Sequence, residues 1–232
     1  MTRQRRTAPP EPDVRRMFDE IVPRYDLVND VLSAGMSRAW RRSAARELHA
    51  LPDAPVLDLG CGTGLLTQRA ARDHRVVGVD VSGPMLEAAA ERLRGDVGLV
   101  QGSAFRLPFR DAVFGGVVSG FVLRNLDDLS GAFDELMRVL RPGAGVSLVD
   151  ITEPREPLRR RVFDAYFRVA APFVGGLAGR REAYRYLVRS LAHLPPSKDV
   201  ASALARSGGE HVRWRVLAPG MVTLWTARRA AS

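Results

Sequence analysis

The chain contains very little cysteine, lysine or histidine, and it has no long apolar run. Cys61 is the only cysteine, which excludes an intramolecular disulfide bond and a metal site built from several cysteines. The four histidines are scattered without the spacing of metal ligands, so no metal site is predicted. No apolar run approaches the ~20 residues that cross a bilayer. At 232 residues and 46% hydrophobic composition, the chain suits one globular domain with a complete core.

Positive charge comes almost entirely from arginine. Lys198 is the only lysine in a chain of net charge +9. So strong a bias is typical of a GC-rich genome, and the charge alone therefore does not indicate nucleic-acid binding. A positive balance still favours contact with an anionic membrane surface.

The amino terminus is basic, but no hydrophobic segment follows it. Pro9, Pro10 and Pro12 stand where a signal peptide needs an apolar stretch. The sequence therefore predicts a cytoplasmic protein. We expect a disordered basic head over residues 1–12 and a single domain over residues 13–232.

The clearest functional pattern lies at residues 56–64, which read VLDLGCGTG. Gly60, Gly62 and Gly64 have no Cβ atoms, so the turn can adopt unusual dihedral angles and lie against a ligand. Asp80 ends the next predicted strand, where a carboxylate accepts hydrogen bonds from both hydroxyls of a ribose. A dinucleotide site requires G-x-G-x-x-G, and this chain has leucine at the last position. The spacing resembles the cofactor site of class I S-adenosylmethionine-dependent methyltransferases.

Hydrophobic patterns along the chain predict alternating strands and helices. Strands are expected near residues 55–59, 75–81, 97–101, 113–119, 146–151, 212–216 and 221–227. Helix starts are expected at Asp13, Ser37, Ser82, Asp127 or Asp128, and Ser197, and Pro142-Gly143 should halt a helix. Such alternation predicts a doubly wound, Rossmann-like α/β fold with a seven-stranded, mostly parallel sheet. An amino-terminal helical cover over residues 13–50 and a helical insert over residues 153–196 complete the predicted domain.

Segments outside the glycine turn resemble the ubiquinone/menaquinone C-methyltransferase family. They are MFDEIVPRYDLVND at 17–30, SAG at 33–35, RAWR at 38–41, FVLRNL at 121–126, and YRYLVRS at 184–190 with Pro195 beyond. Together these matches follow the family's order over nearly the whole chain. The departures are Val122, where the family has glycine, and Ala218-Pro219-Gly220, where it has paired glycines. The resemblance implies S-adenosylmethionine as cofactor and C-methylation of a prenylated quinol ring, with demethylmenaquinol as the nearest substrate.

The same resemblance assigns residues to the cofactor site. Thr63, Asp80, Ser103 and Ala104 match the family's cofactor positions. The family's serine before the phenylalanine corresponds to Gly120, with Ser119 one position earlier, so both are candidates. The complete predicted set is Asp58, Gly60, Gly62, Thr63, Gly64, Asp80, Ser103, Ala104, Ser119 and Gly120. Phe105 or Leu107 is expected to cover a ring of the cofactor, and Phe109 to pack in the core.

The resemblance also implies a polar network for the methyl acceptor, formed by Arg124, Asn125 and Tyr25. A quinol ring attacks through carbon efficiently once a phenolic hydroxyl has lost its proton. Arginine stays protonated and stabilises a phenolate, while asparagine orients the ring oxygen or a water. The alternative is that Arg124 and Asn125 cap the following helix and pair with Asp127 or Asp128.

The predicted insert combines aromatic and basic residues. Val162, Phe163, Tyr166, Phe167 and Ala170 share one helical face, and Arg159, Arg160, Arg161 and Arg168 add positive charge. This composition is typical of a helix at a lipid headgroup boundary, or of one that lines a channel for an isoprenoid tail. The alternative is that the aromatic stripe packs into the core, as such stripes usually do.

Other functions are weighed against this prediction. A methyltransferase for a different small aromatic compound stays open because of the departures at Val122 and in the last strand. An RNA-binding methyltransferase is not expected, since the chain lacks an Asn/Asp-Pro-Pro-Tyr-type amine site and a cysteine nucleophile. The intact glycine turn argues against a catalytically silent partner. We therefore expect a prenylated quinol substrate and no nucleic acid, and the sequence leaves a homodimer open.

Overall fold

A seven-stranded sheet lies at the centre of the structure, a computed structural model that describes residues 9–94, 97–154, 156–158, 160–161, 163, 165–166, 190 and 193–231. The strands are β1 (Val56–Leu59), β2 (Val76–Asp80), β3 (Val97–Gln101), β4 (Phe114–Gly120), β5 (Leu140–Ile151), β6 (Gly209–Leu217) and β7 (Val222–Arg229). Their order is β3-β2-β1-β4-β5-β7-β6, and β7 runs antiparallel to both neighbours. Strands β1 to β5 pair in parallel. The predicted Rossmann-like, mostly parallel sheet is confirmed.

Helices pack on both faces of this sheet. They are α1 (Glu11–Leu32), α2 (Ser37–Arg46), α3 (Leu65–Ala70), α4 (Gly83–Arg92), a 3₁₀ turn (Leu123–Asn125), α5 (Leu129–Val139) and α6 (Ser197–Arg206). Two predicted caps are confirmed by hydrogen bonds. The Ser82 hydroxyl accepts from the Met85 amide, and the Asp128 carboxylate accepts from the Gly131 amide.

Two predicted helix caps are wrong, Asp13 by three residues and Ser197 by one. Helix α1 begins at Glu11 and α6 begins at Ser197, so Asp13 and Ser197 lie inside the first turn and are not caps. The N-cap of each helix is instead a proline in an extended conformation, Pro10 for α1 and Pro196 for α6. The fixed φ of proline restricts the direction from which the chain enters the helix. Asp13 still favours its helix because an acidic side chain in the first turn faces the positive end of the helix dipole.

Strand β5 begins at Leu140, six residues earlier than predicted. The register with β4 pairs Phe114 with Leu140 and Gly116 with Gly145, so the two strands shift against each other between these pairs. Pro142 falls within the shifted stretch, where the ladder does not require its missing amide hydrogen. Pro142-Gly143 therefore ends helix α5 as expected but does not delay the strand.

Strand order reverses between β1 and β4, because β2 and β3 lie on one side of β1 and β5 to β7 on the other. In open α/β sheets a ligand crevice forms outside the carboxyl ends of the strands at such a switch point. Residues of β1 and β4 are buried on both faces of the sheet at this point. Leu57 and Val117 lie in the core on one face, and Val56 and Val118 lie in the core on the other. The fold therefore brings the loops that follow β1, β2, β3 and β4 to one place.

Most of the predicted insert, including Phe167, Arg168 and Ala170, lies outside the described residues. Phe163 is 3% exposed and packs with Ile151, Tyr166 and Met221. It is therefore packed in the core, as in the alternative prediction, and is not exposed for contact with a membrane surface. Among the part of the chain that the structure describes, no helix combines the length and apolarity needed to cross a membrane.

Candidate active site

A cleft of about 700 Å³, counting its open mouth, lies at the switch point of the sheet. Helix α1 forms one wall, and the loops after β1, β2, β3 and β4 form the floor and the opposite wall. Seven predicted site residues line it: Tyr25, Gly60, Gly62, Asp80, Ala104, Gly120 and Asn125. Phe105 also lines the cleft, as expected. Leu107 is buried in the core instead, and Phe109 packs edge-on against Phe114.

The glycine turn has backbone conformations that residues with a Cβ atom rarely adopt. Gly60, Gly62 and Gly64 have φ of +67°, +54° and +81°. A Cβ atom at Gly60 would collide with the side chain of Val122, whereas one at Gly62 would meet nothing within 4 Å. There is therefore no room for a side chain at Gly60, whereas Gly62 faces open space. Gly64 is the N-cap of helix α3.

Asp80 ties the glycine turn to the loop after β2. Its Oδ2 accepts from the Gly62 amide at 2.8 Å, and its Oδ1 accepts from the Ser82 amide at 3.0 Å. Burial raises the pKa of this carboxyl, and the hydrogen bonds from Ser82 and Gly62 oppose that shift. An ionised carboxylate offers about four lone-pair sites, so capacity remains for the two hydroxyls of a ribose.

Two buried residues of opposite charge, Asp58 on β1 and Arg41 on α2, interact electrostatically next to the glycine turn. Asp58 is 1% exposed, and its Oδ2 accepts from the Thr67 hydroxyl at 2.6 Å. Arg41 is 8% exposed and lies 5.2 Å from the ring centroid of Phe121, which lines the cleft. Asp58 Oδ1 and Arg41 Nη1 are buried without a hydrogen-bond partner. Because buried polar atoms are almost always bonded, these two atoms are candidate partners for charged groups of a ligand, and both lie behind the residues that line the cleft.

Sequence reasoning missed Arg41. It lies in the segment 38–41 that resembles the family, but nothing in the sequence distinguishes it from Arg38, which forms an exposed ion pair with Asp30. Burial lowers the pKa of Arg41 and raises that of Asp58 to about 7. Only the packing of α2 against the sheet therefore identifies this arginine.

Asp58 should make the stability of the ligand-free protein fall as the pH rises. Burial is the main cause of its raised pKa, nearby Asp80 adds to it, and Thr67 and Arg41 oppose it. Between the ordinary value of 3.8 and about 7, the folded state holds a proton that the unfolded state releases. At about 1.4 kcal/mol per pH unit, the total loss approaches 4 kcal/mol.

The test compares the wild-type protein with Asp58→Asn by denaturant unfolding from pH 4 to pH 8. We expect the wild type to lose stability relative to the variant across this window and to level off above pH 7. A constant difference at every pH would contradict a carboxylate that titrates near neutrality in the fold.

The other predicted cofactor residues use their hydroxyls within the protein. Thr63 Oγ1 donates to Asp26 at 2.7 Å, and Ser103 Oγ donates to Glu11 at 2.6 Å. Ser119 is buried, and its hydroxyl donates to the carbonyl of Leu59 at 2.7 Å. These side chains hold the loops in position, and Gly120 rather than Ser119 lines the cleft.

Of the predicted acceptor residues, Tyr25 and Asn125 line the cleft, and Arg124 is not among the described residues that do. Arg124 is 2% exposed, and its Nη1 lies 2.5 Å from Asp150 Oδ1. Its backbone amide donates to the other oxygen of Asp150, and its Nε donates to Ser190. Arg124 therefore pairs with Asp150 on β5, and not with Asp127 or Asp128 as in the alternative prediction. Within the described residues, no cluster of potential metal ligands is present.

Relatives of known name match almost the entire chain. The model of the ubiE/COQ5 methyltransferase family matches residues 5–229. A ubiquinone/menaquinone biosynthesis C-methyltransferase UbiE from Syntrophotalea carbinolica is 37% identical over 227 residues, which cover 95% of this chain and 96% of that protein. A demethylmenaquinone methyltransferase from Mycobacterium marinum is 40% identical over 214 residues, 91% of both chains.

Solved structures share the fold at lower identity. A methyltransferase from Thermotoga maritima, described as a possible histamine N-methyltransferase, has a TM-score of 0.67 and 18% identity, with 92% of this chain and 98% of that chain covered. The [4+2]-cyclase SpnF has a TM-score of 0.64 and 18% identity, with 98% of both chains covered. Because a cyclase and a methyltransferase share this fold, the fold alone does not fix the reaction. The match in sequence does fix the family: this chain belongs to the ubiE/COQ5 methyltransferase family.

Proposed function

We propose that this enzyme transfers a methyl group from S-adenosylmethionine to a ring carbon of a prenylated naphthoquinol, with demethylmenaquinol as the substrate. One observation carries the choice of substrate. Three relatives named demethylmenaquinone methyltransferase match 91–95% of the chain at 38–40% identity. The family match over residues 5–229 includes Tyr25 and Asn125 on the acceptor side of the cleft.

The residues around the glycine turn fit the cofactor. Arg41 Nη1 would bind the carboxylate of its amino-acid end, and Asp58 Oδ1 would accept from the ammonium group. The Asp80 carboxylate would accept from the ribose hydroxyls, and Ala104 and Phe105 would contact the adenine. Bound S-adenosylmethionine supplies a methyl group on a positively charged sulfur, which is the electrophile of the reaction.

The acceptor side requires positioning more than covalent chemistry. Holding a nucleophile and an electrophile in attack geometry is worth up to ~7–11 kcal/mol in model systems. Asn125 and Tyr25 line the cleft, and we assign their side chains the role of orienting the ring oxygen that loses its proton. Arg124 has its charge balanced by Asp150, so we assign it the role of fixing Asn125 and Phe121 beside the acceptor.

The test of the reaction offers the purified enzyme and S-adenosylmethionine two kinds of acceptor: a prenylated naphthoquinol and a set of soluble phenols. We expect turnover of the naphthoquinol only, and a product whose new methyl group is on carbon by NMR. A product methylated on oxygen, or faster turnover of a soluble phenol, would overturn the proposal.

We further propose that the enzyme contacts an anionic membrane surface from the cytoplasm. Leu158 is 66% exposed, and Arg161 near it is exposed as well, whereas Arg160 pairs with Glu153. Exposing each methylene of a lipid tail to water costs ~0.8 kcal/mol, so the substrate is best taken directly from the bilayer. A homodimer stays a prediction, to be checked by sedimentation.

Leu158→Asp should weaken binding to vesicles that contain phosphatidylglycerol and should lower activity on a long-tailed quinol more than on a truncated one. Val216→Asp is the matched control, because Val216 is also an exposed apolar residue but lies on the edge strand β6. Vesicle sedimentation at low and high salt provides the measurement, since contact with anionic lipid weakens with salt. Equal losses for both variants, or for both substrates, would contradict this surface.

A methyltransferase for another small aromatic compound is the second candidate, and Val122 favours it. Val122 stands at a position where the family has glycine. Its side chain lines the cleft and packs directly against Gly60. Val122→Gly therefore widens the cleft beside the turn. A variant that gains naphthoquinol turnover and loses turnover of a smaller phenol would favour this second candidate.

A further inference from the structure

Helix α1 is joined to the three loops of the cofactor site by acidic side chains. Glu11 Oε2 accepts from the Ser103 hydroxyl at 2.6 Å. Asp19 Oδ1 accepts from the Ser82 hydroxyl at 2.5 Å. Asp26 Oδ1 accepts from the Thr63 hydroxyl at 2.7 Å. The three acceptors are spaced by eight and seven residues, about two helical turns each, so they share one side of the helix.

Each hydroxyl belongs to a loop that touches the cleft. Thr63 follows Gly62 after β1, Ser82 follows Val81 after β2, and Ser103 lies between Gly102 and Ala104 after β3; Gly62, Val81, Gly102 and Ala104 all line the cleft. Two of the hydroxyls also accept from a backbone amide of their own loop, Ser82 from Met85 and Ser103 from Phe105. Helix α1 is therefore bonded to the same loop conformations that form the cofactor site.

Helix α1 also forms one wall of the cleft. Val14, Phe18 and Tyr25 line it from the side opposite the sheet, so a ligand in the cleft is covered by this helix. A second bond strengthens the end that carries Tyr25, since Asp26 Oδ2 lies 2.6 Å from Arg92 Nη2 and Arg92 donates to the Thr63 carbonyl. These contacts therefore hold the helix against the part of the cleft that it lines.

The contacts are of a kind that can break and re-form. Among the described side chains of α1, Val14, Ile21 and Val28 are buried, and Met17, Phe18, Val22 and Tyr25 are partly buried and pack with Ile21 and Met85. Asp19 and Asp26 are about 30% exposed, so water can replace their partners when the helix moves away. Short hydrogen bonds to a carboxylate are strong while formed, so the three carboxylates add to the apolar contacts in holding α1 on the loops.

We propose that Glu11, Asp19 and Asp26 are positioning residues that latch α1 over the bound cofactor, and that the product S-adenosylhomocysteine leaves only when this latch opens. The latch has a consequence for catalysis as well. Because α1 carries Tyr25, its seating on the cofactor loops also builds the acceptor wall, so the cofactor binds before the acceptor. The inference concerns ligand exchange and does not depend on which quinol is methylated.

The first test is the double variant Asp19→Asn/Asp26→Asn, measured by stopped-flow displacement of S-adenosylhomocysteine. Neutral amides are weaker acceptors than carboxylates, so we expect dissociation to speed up about tenfold or more. Asp13→Asn is the matched control, because Asp13 lies on the same helix and forms an exposed pair with Arg16. The KM for the cofactor should rise in the double variant, and the KM for the acceptor should rise with it, because the same seating of α1 builds the acceptor wall.

The second test locks the latch. In Asp19→Cys/Ser82→Cys, oxidation would join α1 to the loop after β2, and the native Cys61 is buried and does not compete. We expect ligand release from the preloaded protein to be at least about tenfold slower when oxidised and faster than in the wild type after reduction. Equal release rates in the two states, or wild-type release from the double asparagine variant, would show that these carboxylates only anchor the helix and would overturn the proposal.

Discussion

Asp80→Ala will lower the affinity for S-adenosylmethionine by about two to four orders of magnitude. In the proposed assignment the variant removes the acceptor of two ribose hydroxyls, and each bond to a charged group is worth ~1.5–3 kcal/mol. It also removes the acceptor of the Gly62 and Ser82 amides, so the turn and the loop after β2 lose their common anchor. Calorimetric titration with S-adenosylmethionine measures the loss.

Asp73→Ala serves as the control, because Asp73 is an exposed carboxylate just before β2. Thermal unfolding with and without the cofactor separates binding from folding, since a ligand raises the stability of the folded state only when it binds. Asp80→Asn keeps one acceptor oxygen and should lie between the wild type and Asp80→Ala. Unchanged affinity in a folded Asp80→Ala protein would remove Asp80 from the site.

Arg124→Met will destabilise the protein by about 3–5 kcal/mol, because it leaves Asp150 charged and buried without its partner. Removing both charges in Arg124→Met/Asp150→Leu should restore part of this loss, since a buried pair can be replaced by apolar residues at little cost. Denaturant unfolding of the single and double variants gives the two free energies.

The turnover number of the same single and double variants shows whether Arg124 acts on stability alone or also on catalysis. If Arg124 positions Asn125 and Phe121 at the acceptor, the double variant will regain stability but keep a turnover about a hundredfold below the wild type. Affinity for the cofactor should change little, because Asp80 and the glycine turn are untouched. Recovery of both stability and turnover in the double variant would reduce Arg124 to a purely structural role.

The cofactor half of the site could be predicted from the sequence because its signals are local. A glycine turn needs φ values that favour glycine, and Gly60, Gly62 and Gly64 adopt them. A carboxylate at the end of the next parallel strand must lie beside that turn, and Asp80 bonds to Gly62. The hydrophobic period and the spacing of residues along the chain were enough to predict the glycine turn and Asp80. Both features depend on neighbours within one strand–helix–strand unit.

The tertiary structure decided what depends on distant partners. Arg41 and Arg38 are equivalent in the sequence, yet one is buried beside Phe121 and the other pairs with Asp30 at the surface. Phe163 was predicted on a lipid-facing stripe and is in the core, because hydrophobic periodicity identifies a buried face but does not say what covers it.

By itself, then, the sequence determined the fold class, the cofactor turn and the family signature, because strand period, glycine and helix caps act over a few residues. Only the tertiary structure decided which charged groups are paired and which buried polar atoms lack a hydrogen-bond partner. Arg124 meets Asp150 from another strand, and Thr63 meets Asp26 from α1, across gaps of 26 and 37 residues. Such pairs depend on how helices and strands pack, and packing is a property of the whole chain.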